Sequence, residues 1–172
     1  MGQGGYLGIG TMQNNVFAEA LTITPGSNVV SGFDNLKSLG DATHRWSQLF
    51  AGSAVINTSD AREKQQIREL TAAERAVAVR CKGLLRAFKS NDAVELKADG
   101  ARIHFGIVAQ ELKAAFEAEG LVAENYGVLC HDTWEARPAG PDANGVMLPA
   151  REAGDRYGVR YVELYAFILC AL

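Results

Sequence analysis

The chain has 172 residues, 48% of them hydrophobic and 22% charged, with a formal net charge of -3. That length suits one or two small domains, and the apolar fraction supports a packed core rather than disorder. Basic residues alternate with acidic ones, as in Arg62-Glu63-Lys64 and Arg68-Glu69, so no clustered basic surface of the kind nucleic-acid binding requires is present, and no nucleic-acid partner is expected.

Residues 1–53 are poor in charge and rich in Gly, with apolar patches at Val16-Phe17 and Leu21-Thr22-Ile23 and a turn-forming run at Pro25-Gly26-Ser27-Asn28. This pattern predicts short strands divided by turns. A region so small, with so few large apolar residues, struggles to bury a core alone, and intertwining with copies of itself is the physical remedy. The run with Gly at positions 2, 4, 5, 8 and 10 neither follows an apolar strand nor opens a helix, so it does not fit a phosphate-cradling loop. A flexible or β-turn segment is expected there.

At Ser59 the character of the chain changes. Ser59-Asp60-Ala61-Arg62-Glu63-Lys64 places a hydroxyl and an amine five residues apart where a Gly, Thr, Asn and Ser-rich stretch gives way to a charged, helix-like one. A serine hydroxyl is a poor nucleophile until a neighbouring base takes its proton, and a lysine whose pKa is lowered by burial can do so. Asp60 with Glu63 three positions later also fits a helix N-terminal cap. On spacing alone the cap is the favoured reading of the two.

Downstream, Thr71-Ala72-Ala73-Glu74 is a capping box, and Val77, Cys81 and Leu84 share one face of a helix predicted over 72–82 and ended by Gly83. Leu84 to Lys89 and Arg102 to Val108 are expected to pair as a hairpin across a polar loop, Ser90 to Gly100. A second helix is predicted over 109–119, with Leu112, Ala115 and Phe116 inward and Gly120 as its stop. Tyr126 to Trp134 reads as a strand, and Arg137 to Gly154, with three of the four prolines, as a long loop.

Tyr161 to Leu172 is apolar but too short to span a bilayer, and the chain holds no apolar run of ~20 residues and opens on no signal-like segment. The protein is expected to be soluble, with no membrane partner, and this last segment to be a buried helix whose Leu164 and Ile168 face a subunit interface. No heptad repeat comes after it, so a longer C-terminal helix is either naturally absent or cut off. Cys81, Cys130 and Cys170 are odd in number and far apart, which predicts ordinary buried thiols rather than disulfides or a metal site. His44, His104 and His131 lack a second ligand at metal spacing, and neither a metal nor a cofactor is expected.

Asn57-Thr58-Ser59-Asp60-Ala61-Arg62-Glu63-Lys64 resembles the Ser-Asp-x-Arg-x-Lys signature that opens the C-terminal intramolecular chaperone domain of phage tailspikes and tail fibres, the endosialidase-type autoproteolytic family (peptidase S74). Leu39-Gly40 with Arg45-Trp46, then His104-Phe105-Gly106-Ile107-Val108-Ala109-Gln110-Glu111, then Tyr157-Gly158-Val159-Arg160-Tyr161 resemble further segments of that family in the same order.

The resemblance implies an α+β fold: a β-rich trimeric stem end at 1–58 and then a mixed helix and strand chaperone domain at 59–172, in an intertwined homotrimer joined to the upstream fibre or tailspike stem. It implies a single-turnover serine peptidase that cuts its own chain between Thr58 and Ser59, with Ser59 as nucleophile, Lys64 as base, and His104 orienting the scissile carbonyl or donating to the developing oxyanion. Asp60, Arg62, Gln110 and Glu111 recur in the motifs as supporting residues. Assembly is then expected in the host cytoplasm, with the stem kept in the virion tail and the chaperone released. A non-cleaving trimerisation cap of a phage fibre is the alternative.

Overall fold

The computed structural model describes residues 5, 7–13, 15–53, 55–141 and 145–172, which fall into two compact units, Met1–Ala54 and Val55–Leu172. Helix and strand are mixed along the chain.

The first unit is a three-stranded antiparallel sheet of β1 (Leu7–Gln13), β2 (Val16–Ile23) and β3 (Val29–Ser31), in the order β1-β2-β3. The two apolar patches at 16–17 and 21–23 belong to one strand, because alternation continues through Ala18 and Ala20 without a turn residue. Pro25-Gly26-Ser27-Asn28 makes the turn between β2 and β3, with Ser27 N–H donating to Thr24 O at 2.9 Å.

The glycine-rich start departs from expectation. Residues 1–4 and 6 lie outside those described, but Gly8 and Gly10 sit inside β1. The register shifts between Ile9, opposite Leu21, and Gly10, opposite Glu19, leaving Ala20 as the extra residue of a β-bulge. A Cβ on Gly10 would run into the Ala18 carbonyl oxygen. Glycine is there for close backbone approach within a strand, not for flexibility.

None of the described residues before position 54 is buried, and Phe17, Trp46 and Phe50 all lie exposed. Among its described residues, this unit has strands but no buried core.

The second unit has one. Helix α1 (Ala72–Lys82) begins at the predicted capping box, with Glu74 N–H donating to Thr71 Oγ1 at 3.2 Å and Thr71 N–H donating to Glu74 Oε2 at 2.7 Å. Its Val77 and Cys81 are fully buried, and Gly83 caps its end. Beyond it, β4 (Arg86–Phe88) pairs antiparallel with β5 (His104–Gly106), the expected hairpin. The connection is not a plain loop: Asn91–Lys97 forms α2. Ala, Glu, Leu and Lys favour helix there, and no buried face marks it in the pattern.

Helix α3 (Ala109–Ala118) buries Leu112, Ala115 and Phe116 as the pattern predicted. Gly120, at φ +72°, closes it in a Schellman motif, with Gly120 N–H donating to Glu117 O and Leu121 N–H to Phe116 O, both at 3.0 Å.

The predicted strand over 126–134 shortens to β6 (Leu129–Trp134), because a 3-10 turn at Ala123–Asn125 precedes it. β6 pairs antiparallel with β9 (Gly154–Val159), and the chain between them is a ribbon rather than a loop. Arg137 and Arg151 form a bridge, and β7 (Gly140–Pro141) pairs with β8 (Met147–Leu148).

Helix α4 (Tyr161–Leu169) covers the core, but not with the face expected. Leu164 is 0% exposed and Ile168 9%, both packed with Val77, Leu112 and Phe116 in the chain's own core. The apolar surface that α4 offers outward is Val162, Tyr165 and Leu169. An apolar run broken only by Glu163 cannot show which of its faces meets its own chain.

Candidate active site

Asp60 nucleates the segment around the proposed junction. Its carboxylate accepts from Arg62 N–H at 2.9 Å and caps a 3-10 turn over Ala61–Glu63, so the capping reading of these residues is realised. The Arg62 guanidinium returns to the same carboxylate, Nε donating to Oδ1 at 3.0 Å and Nη2 to Oδ2 at 2.5 Å. That guanidinium, with the Arg62 N–H, holds the Asp60 carboxyl below its ordinary range.

The turn folds the chain back by one step, which brings the ends of the motif together. Lys64 Nζ lies 2.5 Å from Ser59 Oγ as its donor. Capping and a Ser-Lys contact are therefore not rivals: the cap makes the turn, and the turn makes the contact. Both side chains are exposed in the single chain. A lysine serves as a base only in its neutral form, which removal from water favours.

His104 is exposed on β5, directly opposite Phe88, with ring centroids 6.0 Å apart. Among the described residues no hydrogen bond links it to Ser59 or Lys64. Gln110 and Glu111 are exposed in the first turn of α3. His44 Nδ1 is bound to Asp41 at 3.1 Å, and His131 Nε2 to Asp155 at 2.8 Å while its ring stacks on Tyr157 at 3.9 Å. No group of three His, Cys, Asp or Glu among the described residues is arranged to hold a metal ion.

Two of the motif segments meet elsewhere. Ile107 N–H donates to the Tyr161 hydroxyl at 3.3 Å, joining the segment at 104–111 to the one at 157–161. Sequence reasoning missed the polar centre beside α1. Arg68, four residues after Lys64, grips Glu74, which also accepts from the Tyr126 hydroxyl at 3.0 Å. The Arg68 guanidinium is the main cause that holds the Glu74 carboxyl well below the usual carboxylate range, against the opposing effect of burial. Burial, with the bond to Glu74 as the next cause, raises the Tyr126 phenol. The capping box was the one available signal, since it names Glu74 but not its second partner.

A family model described as chaperone of endosialidase, Peptidase_S74, matches residues 59–121 and so begins at Ser59. The chain is 42% identical over 128 residues to a tail spike protein of Escherichia virus K5, covering 74% of this chain and 20% of that one. It is 35% identical over 149 residues to a probable tail spike protein of Klebsiella phage 0507-KN2-1, covering 77% of this chain and 12% of that one. The chain thus spans a fifth or less of these relatives.

Among solved structures, the carboxy-terminal domain of the bacteriophage T5 L-shaped tail fibre with its intramolecular chaperone domain matches with a TM-score of 0.80. It covers 96% of this chain and 42% of that one at 24% identity, a likeness of fold. A structure described as a novel intramolecular chaperon matches with a TM-score of 0.56 at 33% identity, covering 66% of this chain and 93% of that one.

Proposed function

Since the chain belongs to the chaperone-of-endosialidase family and carries the intramolecular chaperone domain of a phage tail fibre or tail spike, we propose that it assembles as a homotrimer, guides the folding of an upstream stem, and then cuts itself free between Thr58 and Ser59. In this reading residues 1–58 are the end of the stem and 59–172 the chaperone. The carrying observation is the Lys64 Nζ to Ser59 Oγ contact of 2.5 Å at the start of the family match.

Neutral Lys64 takes the Ser59 hydroxyl proton as Oγ attacks the carbonyl carbon of Thr58. The peptide bond breaks, the proton passes to the departing Ser59 nitrogen, and an ester joins Thr58 to Ser59 Oγ. Water hydrolyses that ester to a Thr58 carboxylate and a free Ser59. His104 is the proposed donor to the oxyanion. Within one chain it is not bonded to Ser59, so in this reading its contribution comes with assembly. Asp60 and Arg62 hold the turn, and Gln110 and Glu111 are proposed to support the site through hydrogen bonds.

Assembly has two motives in this chain. The unit before residue 54 lacks buried residues among those described, and neighbouring copies would supply the missing core. Packing against a neighbour would also remove Lys64 from water and favour its neutral form. Cutting would then depend on correct assembly, and loss of the chaperone would leave the stem kinetically trapped. Host cytoplasm during assembly and the virion tail afterwards are the corresponding locations, and no helix among the described residues is long and apolar enough to cross a membrane.

A non-cleaving trimer cap is the second reading, favoured by the Asp60 cap, which gives the same motif a purely structural use. Denaturing electrophoresis with N-terminal sequencing separates the two. A fragment starting at Ser59 that disappears in Ser59→Ala supports cleavage, whereas an intact wild-type chain supports the cap.

A further inference from the structure

Among the described residues, the segment from 55 to 70 is hydrogen-bonded to the body of the second unit at one side chain, Arg68. Its Nη1 donates to Glu74 Oε2 at 2.7 Å and its Nη2 to Oε1 at 2.6 Å, a two-pronged fork on one carboxylate. Nη1 also donates to Glu69 O at 2.8 Å. Glu74 is the single buried charged residue among those described, 3% exposed.

Its remaining acceptor positions are taken by Thr71 N–H at 2.7 Å and the Tyr126 hydroxyl at 3.0 Å. All four are filled, so the carboxylate has one orientation available. Helix α1 needs only the capping-box half of this arrangement. The fork to Arg68 fixes something else, the chain that leads back to Lys64.

That chain is short and constrained. Between Lys64 and Arg68, Gln66 has φ +54°, a left-handed conformation that residues other than glycine rarely adopt. Strained backbone persists where its surroundings over-determine it, and here a capped turn holds one side and the Glu74 fork the other.

We propose that Arg68 and Glu74 are positioning residues for self-cleavage. The buried carboxylate fixes the bend at Gln66 and thereby presents the Ser59–Lys64 turn at one place on the chaperone body. Neither residue touches the reacting atoms. Misplacing reacting groups by ~1 Å costs on the order of 100-fold in rate, so an anchor four residues from the base is close enough to matter. The inference rests on the self-cleavage reading.

The test tracks newly synthesised, pulse-labelled full chain by denaturing electrophoresis, with rates taken on the trimer fraction. Arg68→Ala is expected to slow formation of the Ser59 fragment at least tenfold. Arg68→Lys recovers part of the rate, because an ammonium still pairs with Glu74 but cannot form the fork. Arg80→Ala, which removes a one-pronged 3.0 Å pair with the partly exposed Glu119 elsewhere on the body, leaves the rate unchanged. Glu74→Gln keeps a capping-box residue and its volume but weakens the fork, and it should slow cleavage as well.

A wild-type rate in Arg68→Ala trimers overturns the proposal, as does equal slowing by Arg80→Ala. If Arg68→Ala does not assemble, a wild-type rate in Glu74→Gln overturns it. Loss of assembly in both makes the pair a folding element and also overturns it. An intact wild-type chain refutes self-cleavage itself, and the anchor with it.

Discussion

Tyr161 closes over Gly106: its hydroxyl occupies the space a side chain would need there and accepts from Ile107 N–H at 3.3 Å. The first residue of α4 is thereby locked to the end of β5, which ties two segments 54 residues apart to one core.

Gly106→Ala should therefore be destabilising, because a Cβ would collide with the Tyr161 hydroxyl and crowd the Phe88 ring. Overpacking of this kind costs about 1–3 kcal/mol. Thermal or urea unfolding of the cleaved or Ser59→Ala protein would measure it, and an unchanged midpoint would show that Tyr161 moves aside freely.

The Ser-Lys contact predicts that Lys64→Arg abolishes processing while the trimer persists, since a guanidinium keeps the charge but cannot become a neutral base near pH 7. The expected loss is at least 100-fold in the rate of fragment formation, in line with loss of a general base. Normal processing in assembled Lys64→Arg would move the search for a base to His104.

Dependence on assembly needs variants on the outward face of α4, because Leu164 and Ile168 lie in the chain's own core and their replacement would unfold it. Val162→Asp with Leu169→Asp changes residues 68% and 63% exposed instead. Folded monomers that stay uncut are expected, read by light scattering on a sizing column and electrophoresis of each peak. Efficient cutting in the monomer peak would sink the link between assembly and cleavage.

Glu74 sets an acid limit. Its carboxyl is held below the ordinary range in the folded chain, chiefly by Arg68, so its contribution to stability is present above the unfolded value of about 4.3 and falls away as the medium becomes more acidic. Glu74→Gln should flatten the acid limb of stability against pH and cost about 1–3 kcal/mol at neutral pH. Parallel wild-type and variant curves below pH 4 would contradict this.

Ala98, at φ +44° and ψ -121°, holds a sparsely populated backbone conformation that costs a non-glycine residue roughly 1–3 kcal/mol. Ala98→Gly should raise stability by up to about 1 kcal/mol, less than the strain released, because glycine also gains freedom in the unfolded chain. A lower unfolding midpoint would show that the strain is not held there.

Local chemistry made much of the chaperone unit legible. Thr71 and Glu74 announce α1 because a capping box satisfies its own helix end, and Leu112, Ala115, Phe116 and Gly120 announce α3 through spacing and a stop residue. Ser59 and Lys64 could be paired on paper because their contact closes within a single turn of chain.

The features that the one-dimensional pattern left undecided depend on partners far away in the chain. Gly10 is in a strand because Ala18 and Glu19 come against it, and Arg137 and Arg151 make a ribbon of an apparent loop. Leu164 and Val162 carry the same apolar signal, yet one is in the core and the other faces outward, since burial is decided by which neighbours α1 and α3 supply. The Arg68–Glu74–Tyr126 centre is the clearest case. A carboxylate that caps its own helix needs no further partner, and only the packed fold brings in Tyr126 from 52 residues away and buries the Glu74 carboxylate while Arg68 stays exposed.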